Sequence, residues 1–256
     1  MMSSLPSGYE LKTFDTIDST NAKARRLVEA GVTKPTWIVS ATQTEGRGRQ
    51  NRRWISHLGN LFCTLLLQPG CAVREAGQLS FVTALAVADV LKQYLPEDRI
   101  TLKWPNDVLL DEHKVAGILL ETCQTEAGRV DALAIGIGIN LAHHPQNTDY
   151  PSTSIAACNA GKAPQPEAAL EDLDRCFAVW YETWRKMGFA PVRNAWLKNA
   201  AGLDKVMTAH LPQETLSGRF ETLAPGGELI LRLPDGETRK IAAADIFFET
   251  PRSCKD

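Results

Sequence analysis

The side chains best suited to chemistry begin with an arginine-rich loop. Residues 46–54 read GRGRQNRRW, with four arginines and no acid. The two glycines let the backbone approach a ligand closely, and arginine's planar guanidinium binds phosphate and carboxylate groups through paired hydrogen bonds. Because four such charges repel one another, we expect the loop to bind a small anion and to become ordered when it does. The loop lacks the Gly-x-x-x-x-Gly-Lys-Ser/Thr pattern of a P-loop.

Three further motifs combine lysine, carboxylate or glycine with apolar strand sequence. They are KWPND at 103–107, KVAGIL at 114–119 and GIGIN at 136–140. Lys103 and Asp107 flank a strand-to-turn junction, where they could face a cleft, although Pro-Asn-Asp is also ordinary turn chemistry. Lys114 starts an apolar strand beside small residues that permit close approach. Glycines in the strand 136–140 mark a bulge or a ligand lying against the backbone, and their spacing is not that of a dinucleotide motif.

Charge limits the classes of partner. The 256 residues carry 28 basic and 30 acidic side chains, so the chain outside the arginine-rich loop is slightly acidic. An RGG-like nucleic-acid contact is one interpretation of the loop, and it predicts basic residues spread over a whole face. The β-rich region 205–249 is not enriched in them. We therefore expect no DNA partner.

Cysteine usage and apolar runs indicate the compartment. The six cysteines are dispersed and form no C-x-x-C pair, which is typical of reduced proteins of the cytosol. The first residues lack a signal-peptide pattern, and the most apolar stretch, 79–90, is too short and too interrupted to span a bilayer. We expect a soluble cytoplasmic protein without membrane association.

The elements that must position these motifs follow from periodicity and capping signals. A strand over 9–17 leads to a helix that is capped by Ser19 or Thr20 and stopped by Gly31. Further strands are predicted at 36–42, 61–67, 100–104, 108–111, 115–121 and 130–140, and helices at 74–95, from the Pro164–Pro166 break to Gly188, and at 191–201. The helix over 74–95 is apolar on most sides and therefore internal. Aromatic residues repeat along one face of the helix that ends at Gly188, and we interpret them as core packing.

After residue 205 the pattern changes to five short strands separated by turns that contain proline and glycine. This pattern is typical of a small all-β barrel. A barrel of about 45 residues is marginally stable alone, so we expect it to pack on the larger domain. The predicted class is α+β, a mixed sheet with packed helices followed by a small β-barrel.

In their order and spacing, the motifs resemble the biotin–protein ligase family, the biotin–acetyl-CoA-carboxylase ligases. The resemblance runs through Ser19-Thr20-Asn21, Gln43, GRGRQNRRW, KWPND, KVAGIL and GIGIN, with Ser152–Ile155 as a weaker match. It implies a class II synthetase-like catalytic domain over 1–203 and an SH3-like domain over 204–256. It also implies that biotin and ATP form biotinyl-5′-AMP and pyrophosphate, and that biotin then passes to one lysine of a biotin carboxyl carrier protein, an acetyl-CoA carboxylase subunit.

The resemblance also implies roles for individual residues. It implies biotin-binding roles for Ser19, Thr20, Asn21, Gln43, Arg47, Gly48, Arg49, Lys114, Gly117 and Gly136. It implies ATP or adenylate-binding roles for Arg49, Arg52, Trp54, Lys103, Asn106 and Asn140. The implied catalytic residues are Lys114, Arg49, Lys103 and Asp107. Lys114 would bridge the biotin carboxylate and the α-phosphate, and Asp107 would help to hold Mg²⁺ or orient the acceptor lysine. The metal ligands themselves stay undetermined.

One residue departs from the family pattern. The family loop usually reads GRGRxGR, and Asn51 stands at its third glycine. Among the other residues, asparagine tolerates the left-handed conformation best, so we expect the turn to survive.

Two alternative functions accompany this hypothesis. A lipoate ligase is the alternative within the superfamily, although GRGRQNRRW followed by KWPND favours biotin. A nucleic-acid-binding module is the alternative from another class. Only 18 residues precede Ser19, so we expect a ligase without a DNA-binding repressor domain. The oligomeric state is open, and a homodimer is one option.

Overall fold

The computed structural model describes residues 5–146, 148 and 150–248. Cys254 lies outside these residues, as do the first four residues of the expected catalytic domain and the last eight of the expected SH3-like domain. An eight-stranded sheet forms the N-terminal part of the chain. Its strands are β1 (Glu10–Ile17), β2 (Thr36–Gln43), β3 (Leu61–Leu67), β4 (Cys71–Ala72), β5 (Ile100–Lys103), β6 (Asp107–Leu110), β7 (His113–Glu126) and β8 (Arg129–Ile139). The strand order is β1-β2-β3-β8-β7-β6-β5, with β4 beside β8. Because β1 and β2 are parallel and the other pairs antiparallel, the predicted mixed sheet is confirmed.

Helices cover the sheet on both faces. They are α1 (Thr20–Glu29), α2 (Val73–Ala76), α3 (Leu79–Lys92), α4 (Ile155–Cys158), α5 (Pro166–Met187) and α6 (Phe189–Lys198). Trp37 and Ile135 belong to the main core, which includes α3, α5 and α6, whereas the adjacent Ile38 and Ala134 pack in a second cluster with Ala24 of α1. Since successive strand residues point to opposite faces, α1 lies on the face opposite the main core.

The helix predicted over 74–95 is internal, as expected, but the prediction of one continuous helix was wrong. It breaks after Ala76 into α2 and α3 at Gly77 and Gln78. Glycine is a poor helix residue, and the Gln78 side chain accepts a hydrogen bond from Trp184 Nε1 at 2.8 Å. The aromatic face of α5 is core packing, as predicted, with Phe177 fully buried against Trp37. The last helix begins at Phe189 and ends at Lys198, a few residues earlier than predicted.

A five-stranded antiparallel sheet forms the C-terminal domain. Its strands are β9 (Val206–His210), β10 (Thr215–Leu223), β11 (Leu229–Arg232), β12 (Thr238–Ile241) and β13 (Asp245–Phe248), in the order β12-β11-β10-β9-β13. Trp104 Nε1 donates to the Gly227 carbonyl at 3.0 Å, and Arg193 Nε donates to the Leu223 carbonyl at 2.7 Å. The small domain therefore packs on the larger one, as expected. In the part of the chain described here, no helix is both long and apolar enough to cross a membrane.

Candidate active site

One cavity of about 400 Å³ brings the sequence motifs together. It opens on the α1 face of the sheet, between the arginine-rich loop (residues 46–54), the segment around Tyr150 and β13. All of the residues selected from the sequence line it: Ser19, Thr20, Asn21, Gln43, Arg47, Gly48, Arg49, Arg52, Trp54, Lys103, Asn106, Asp107, Lys114, Gly117, Gly136 and Asn140. Motifs that lie as far apart in the chain as Ser19 and Asn140 thus form a single site.

The floor of the cavity is made of glycines on neighbouring strands. Gly117 of β7 pairs with Gly138 of β8, and Gly136 lies two residues away on the same face. A Cβ on Gly136 would lie 2.4 Å from Asn21 Oδ1, and one on Gly138 would lie 2.5 Å from Trp54 Cε2. The glycines are therefore required because side chains of this protein lie directly against them. The resemblance predicts contact of Gly117 and Gly136 with a ligand, and Gly138 is not among the predicted site residues.

The end of the cavity next to α1 is neutral and polar. Ser19 caps α1, as predicted, by accepting a hydrogen bond from the Ala22 N–H at 3.5 Å. The Thr20 N–H and hydroxyl both donate to Gln43 Oε1, at 2.8 and 3.1 Å. Gln43 Nε2 in turn donates to Ser56 Oγ at 3.3 Å. These groups provide uncharged donors and acceptors in a largely buried corner, which suits a neutral polar ring.

The arginine-rich loop folds back on itself above the cavity. The Gly48 N–H donates to the Arg52 carbonyl at 2.7 Å, and the Trp54 N–H donates to the Gly46 carbonyl at 2.8 Å. Asn51 has a φ of 58°, so the predicted left-handed conformation is confirmed. Gln50, at 53°, shares that conformation, which the sequence did not indicate.

The guanidinium of Arg49 points from the loop toward the KWPND turn. Its Nη1 donates to Asn106 Oδ1 at 3.4 Å. Burial lowers the pKa of Arg49, but an arginine with a lowered pKa stays charged at neutral pH. Asn106 is itself fixed, because its Nδ2 donates to the Ile118 carbonyl at 2.6 Å. The loop therefore carries a fixed positive charge over the middle of the cavity.

Two lysines make the other end of the cavity cationic. Lys114 Nζ lies 2.6 Å from Asp107 Oδ1 and 5.5 Å from the centre of the Trp54 ring. This lysine–aspartate contact is an ion pair without the geometry of a hydrogen bond, because the buried Oδ1 has no hydrogen-bond partner among the described residues. Lys103 Nζ lies 4.7 Å from the centre of the Tyr150 ring, and desolvation lowers the pKa of this lysine. Two partly desolvated cations at one end of the cavity provide a binding site for anions.

Some residues of the site were missed because they come from the C-terminal domain. Arg52 Nη2 donates to Asp245 Oδ1 of β13 at 2.6 Å. The Tyr150 ring stacks on Phe247 of the same strand, with ring centres 5.2 Å apart. No local pattern around Asp245 could have revealed this contact, because the partner residue lies in another domain far along the chain.

Asn140 was expected to contact the adenylate, and in the structure it supports a neighbouring segment. It is buried, and its Nδ2 donates to the Thr153 carbonyl at 3.0 Å. The Thr153 N–H donates to the Lys114 carbonyl at 2.9 Å, so Asn140 fixes the backbone beside the lysine. Its contact with a nucleotide stays a prediction.

Comparison with known proteins identifies the class to which this fold and site belong. Residues 13–140 match the Biotin/lipoate A/B protein ligase family, and residues 207–249 match the biotin protein ligase C terminal domain. The chain is 43% identical over 237 residues to a biotin–acetyl-CoA-carboxylase ligase of Paracoccus denitrificans. This match covers 90% of this chain and 97% of that protein. It is 32% identical over 246 residues to the bifunctional ligase/repressor BirA of Bacillus subtilis, covering 93% of this chain and 74% of that one.

A solved structure supports the same conclusion. The biotin protein ligase from Aquifex aeolicus, in complex with biotin and ATP, superposes with a TM-score of 0.81 at 25% identity, covering 94% of this chain and 99% of that chain. The chain belongs to the biotin/lipoate A/B protein ligase family. Within it, the C-terminal domain and the Paracoccus relative both correspond to biotin protein ligases, and a lipoate ligase is not favoured.

Proposed function

We propose that this chain is an ATP-dependent biotin–protein ligase. It joins biotin to ATP to form biotinyl-5′-AMP and pyrophosphate, and it transfers biotin to a lysine of a biotin carboxyl carrier protein. The observation that carries the proposal is a single cavity with a neutral polar end and a cationic end that contains Lys114. The similarity to a biotin–acetyl-CoA-carboxylase ligase supports this carrier as the acceptor.

The first step requires two anions to meet. An oxygen of the biotin carboxylate attacks the α-phosphorus of ATP, the P–O bond to the β-phosphate breaks, and pyrophosphate leaves. With the ureido ring between α1 and Gln43, the carboxylate reaches Lys114. Lys114, Lys103 and Arg49 then offset the repulsion between carboxylate and phosphate. In the second step, the acceptor amine attacks the acyl carbon, the bond to AMP breaks, and the amine loses a proton.

Mg²⁺ fits the cationic end as a companion of ATP. Protein sites usually hold it by one or two carboxylates together with substrate phosphates. Asp107 supplies such a carboxylate: its Oδ1 lies 2.6 Å from Lys114 Nζ and has no hydrogen-bond partner among the described residues. Among those residues, no group of three or more His, Cys, Asp or Glu side chains could hold a metal alone. When bound there, Mg²⁺ would reduce the negative charge of the phosphates.

The roles that the resemblance implies are proposed for the residues at each end of the cavity. Ser19, Thr20 and Gln43 bind the ring end of biotin, with Asn21 behind them, and the backbone of Arg47 and Gly48 covers it. Arg52, Trp54 and Asn106 lie at the adenylate side. We propose a domain boundary between Leu203 and Asp204, where the polypeptide leaves the helical part. The five described cysteines are unpaired, which supports a reducing, cytoplasmic location.

A homodimer is proposed on the evidence of the edge strand β1. Among the described residues, β1 pairs with β2 alone, so its other edge is available for pairing with a second copy. Sedimentation velocity of the purified chain with and without biotin and ATP measures this directly. A monomer under both conditions would overturn the dimer and leave the ligase proposal intact.

The ligase proposal is tested by incubating the chain with biotin, ATP and a carrier domain and measuring the acceptor mass. We expect the mass of one biotinyl group to be added. Lys114→Met, which removes the charge and keeps the apolar stem, should slow pyrophosphate formation by about 10²- to 10³-fold. Lys162→Met, at an exposed position, is the matched control and should be unaffected. Mass gain with lipoate and none with biotin would overturn the proposal.

A further inference from the structure

Glu121, on β7 beside the neutral end of the cavity, contacts two parts of the site at once. Its Oε2 accepts a hydrogen bond from Asn21 Nδ2 at 2.7 Å. Its Oε1 lies 3.6 Å from Nη2 of Arg47 in the arginine-rich loop. One carboxylate thus joins the first turn of α1 to that loop. Glu121 belongs to none of the sequence motifs, since KVAGIL ends two residues before it.

On the α1 side, the carboxylate completes a set of contacts that fixes the Asn21 amide. Asn21 Oδ1 accepts from Thr64 Oγ1 at 2.6 Å, while its Nδ2 also lies 3.4 Å from the Leu119 carbonyl oxygen. Gly136 leaves no free space beneath it. Because both ends of the amide are bonded, Asn21 cannot turn without losing a bond. Its position in turn fixes the two residues before it in the chain, which line the neutral end.

On the loop side, the same carboxylate is the ion-pair partner of Arg47. The side chain of Glu121 is 23% exposed and that of Arg47 is 40% exposed, so water screens the pair only in part. Arg47 forms a backbone bridge with Arg53 across the loop. Holding Arg47 therefore holds both strands of the loop against β7.

We propose that Glu121 is a positioning residue that couples the arginine-rich loop to the biotin end of the cavity. It touches no reacting atom and acts through Arg47 and Asn21. When the loop lies over the cavity, Arg47 pairs with the carboxylate that orients Asn21, so each contact favours the other. The inference rests on the ligase function proposed above, and its consequence is slower escape of biotinyl-5′-AMP.

Glu121→Gln separates the two contacts in the full-length chain. The variant keeps an oxygen that accepts from Asn21 and loses the charge that faces Arg47. We expect biotinyl-5′-AMP to dissociate about 2- to 5-fold faster, as for loss of a partly exposed ion pair, with the KM for ATP unchanged. The acceleration should vanish at high salt, where wild type reaches the same rate. Glu126→Gln, at an exposed position near the far end of β7, is the matched control and should release at the wild-type rate.

A double-mutant cycle distinguishes coupling from general damage. In an Arg47→Gln background, adding Glu121→Gln should change the release rate by less than about 2-fold. Equal acceleration by Glu121→Gln in both backgrounds would overturn the coupling, even if the chain is an active ligase. Failure of the wild-type chain to form any biotinyl-5′-AMP would overturn the ligase function and the inference with it.

Discussion

Replacement of Gly136 by alanine tests whether the glycine floor exists to accommodate side chains of the protein. The new Cβ would lie 2.4 Å from Asn21 Oδ1, whereas ordinary contacts begin near 3.4 Å, so Asn21 must move by about 1 Å. Such a movement breaks its hydrogen bonds to Thr64 and Glu121, at 2.6 and 2.7 Å. Loss of one neutral and one charge-assisted hydrogen bond costs about 3 kcal/mol.

The assay is urea unfolding followed by far-UV circular dichroism, together with calorimetric titration of biotin. Gly136→Ala should lower the free energy of unfolding by about 3 kcal/mol and weaken biotin binding by at least about tenfold. Asn21→Ala in the same chain removes the clash, so the double variant should be more stable than the sum of the two single effects predicts.

Gly138→Ala is the matched control, because its Cβ would be equally close to a different side chain. That Cβ would lie 2.5 Å from Trp54 Cε2, and Trp54 belongs to a surface loop. Its ring nitrogen makes no hydrogen bond within the described residues, so we expect a loss of less than about 1 kcal/mol. A Gly136→Ala variant as stable as wild type, or equal losses in both variants, would refute the reasoning.

Three further predictions concern charges at the edge of the site. Asp245→Asn removes the negative charge that pairs with Arg52. In steady-state kinetics, the KM for ATP should rise several-fold while the KM for biotin stays the same. An unchanged KM for ATP would contradict a role of Asp245 in nucleotide binding. Desolvation lowers the pKa of Lys103, so the folded chain binds fewer protons than the unfolded chain, and stability should rise with pH toward the ordinary value of 10.5. Lys103→Met should therefore be more stable than wild type at pH 7, and in urea titrations the difference should shrink as the pH rises toward 10.5; a difference that stays constant up to that pH would contradict this. Hydrogen bonds from Arg26 lower the pKa of Asp18 to about 2, so its contribution is present above pH 4 and lost as the pH falls toward 2. Asp18→Asn should remove less than about 1 kcal/mol of stability at pH 6, because the pair is exposed, and the loss should shrink as the pH falls through 2, as urea titrations at each pH would show.

Local signals predicted most of the sheet and the ends of the longest helix. The strand Leu61–Leu67 has the predicted bounds because it is a continuous apolar run between turn residues. Helix α5 ends at Met187, and the cap residue Gly188 has a φ of 74° that glycine adopts readily. The break at Gly77 was missed because the apolar pattern continues across it, and the contact that stabilises the break comes from Trp184 in another helix.

For the site too, local motifs predicted some residues, and long-range contacts bring in residues that the motifs did not predict. The residues selected from the motifs line one cavity, since each motif lies on the elements that surround it. It could not reveal Asp245, because that carboxylate is recognised only by the arginine that meets it across a domain interface. Nor could it reveal Glu121, whose two partners come from separate elements.

The glycines in the floor of the cavity were found from the sequence, but their role follows from the side chain that packs on them. Gly117 and Gly138 leave space in which the Trp54 ring lies against the sheet, with the ring 5.5 Å from the Lys114 ammonium. The ring therefore lies beside the ammonium that pairs with Asp107 Oδ1 at 2.6 Å. A Cβ at Gly117 would lie 3.0 Å from the ring and one at Gly138 would lie 2.5 Å from it, so the ring would have to move away from the strands. These glycines thus act on the chemistry through Trp54, so the pattern GIGIN locates the site while the packing above it explains the pattern.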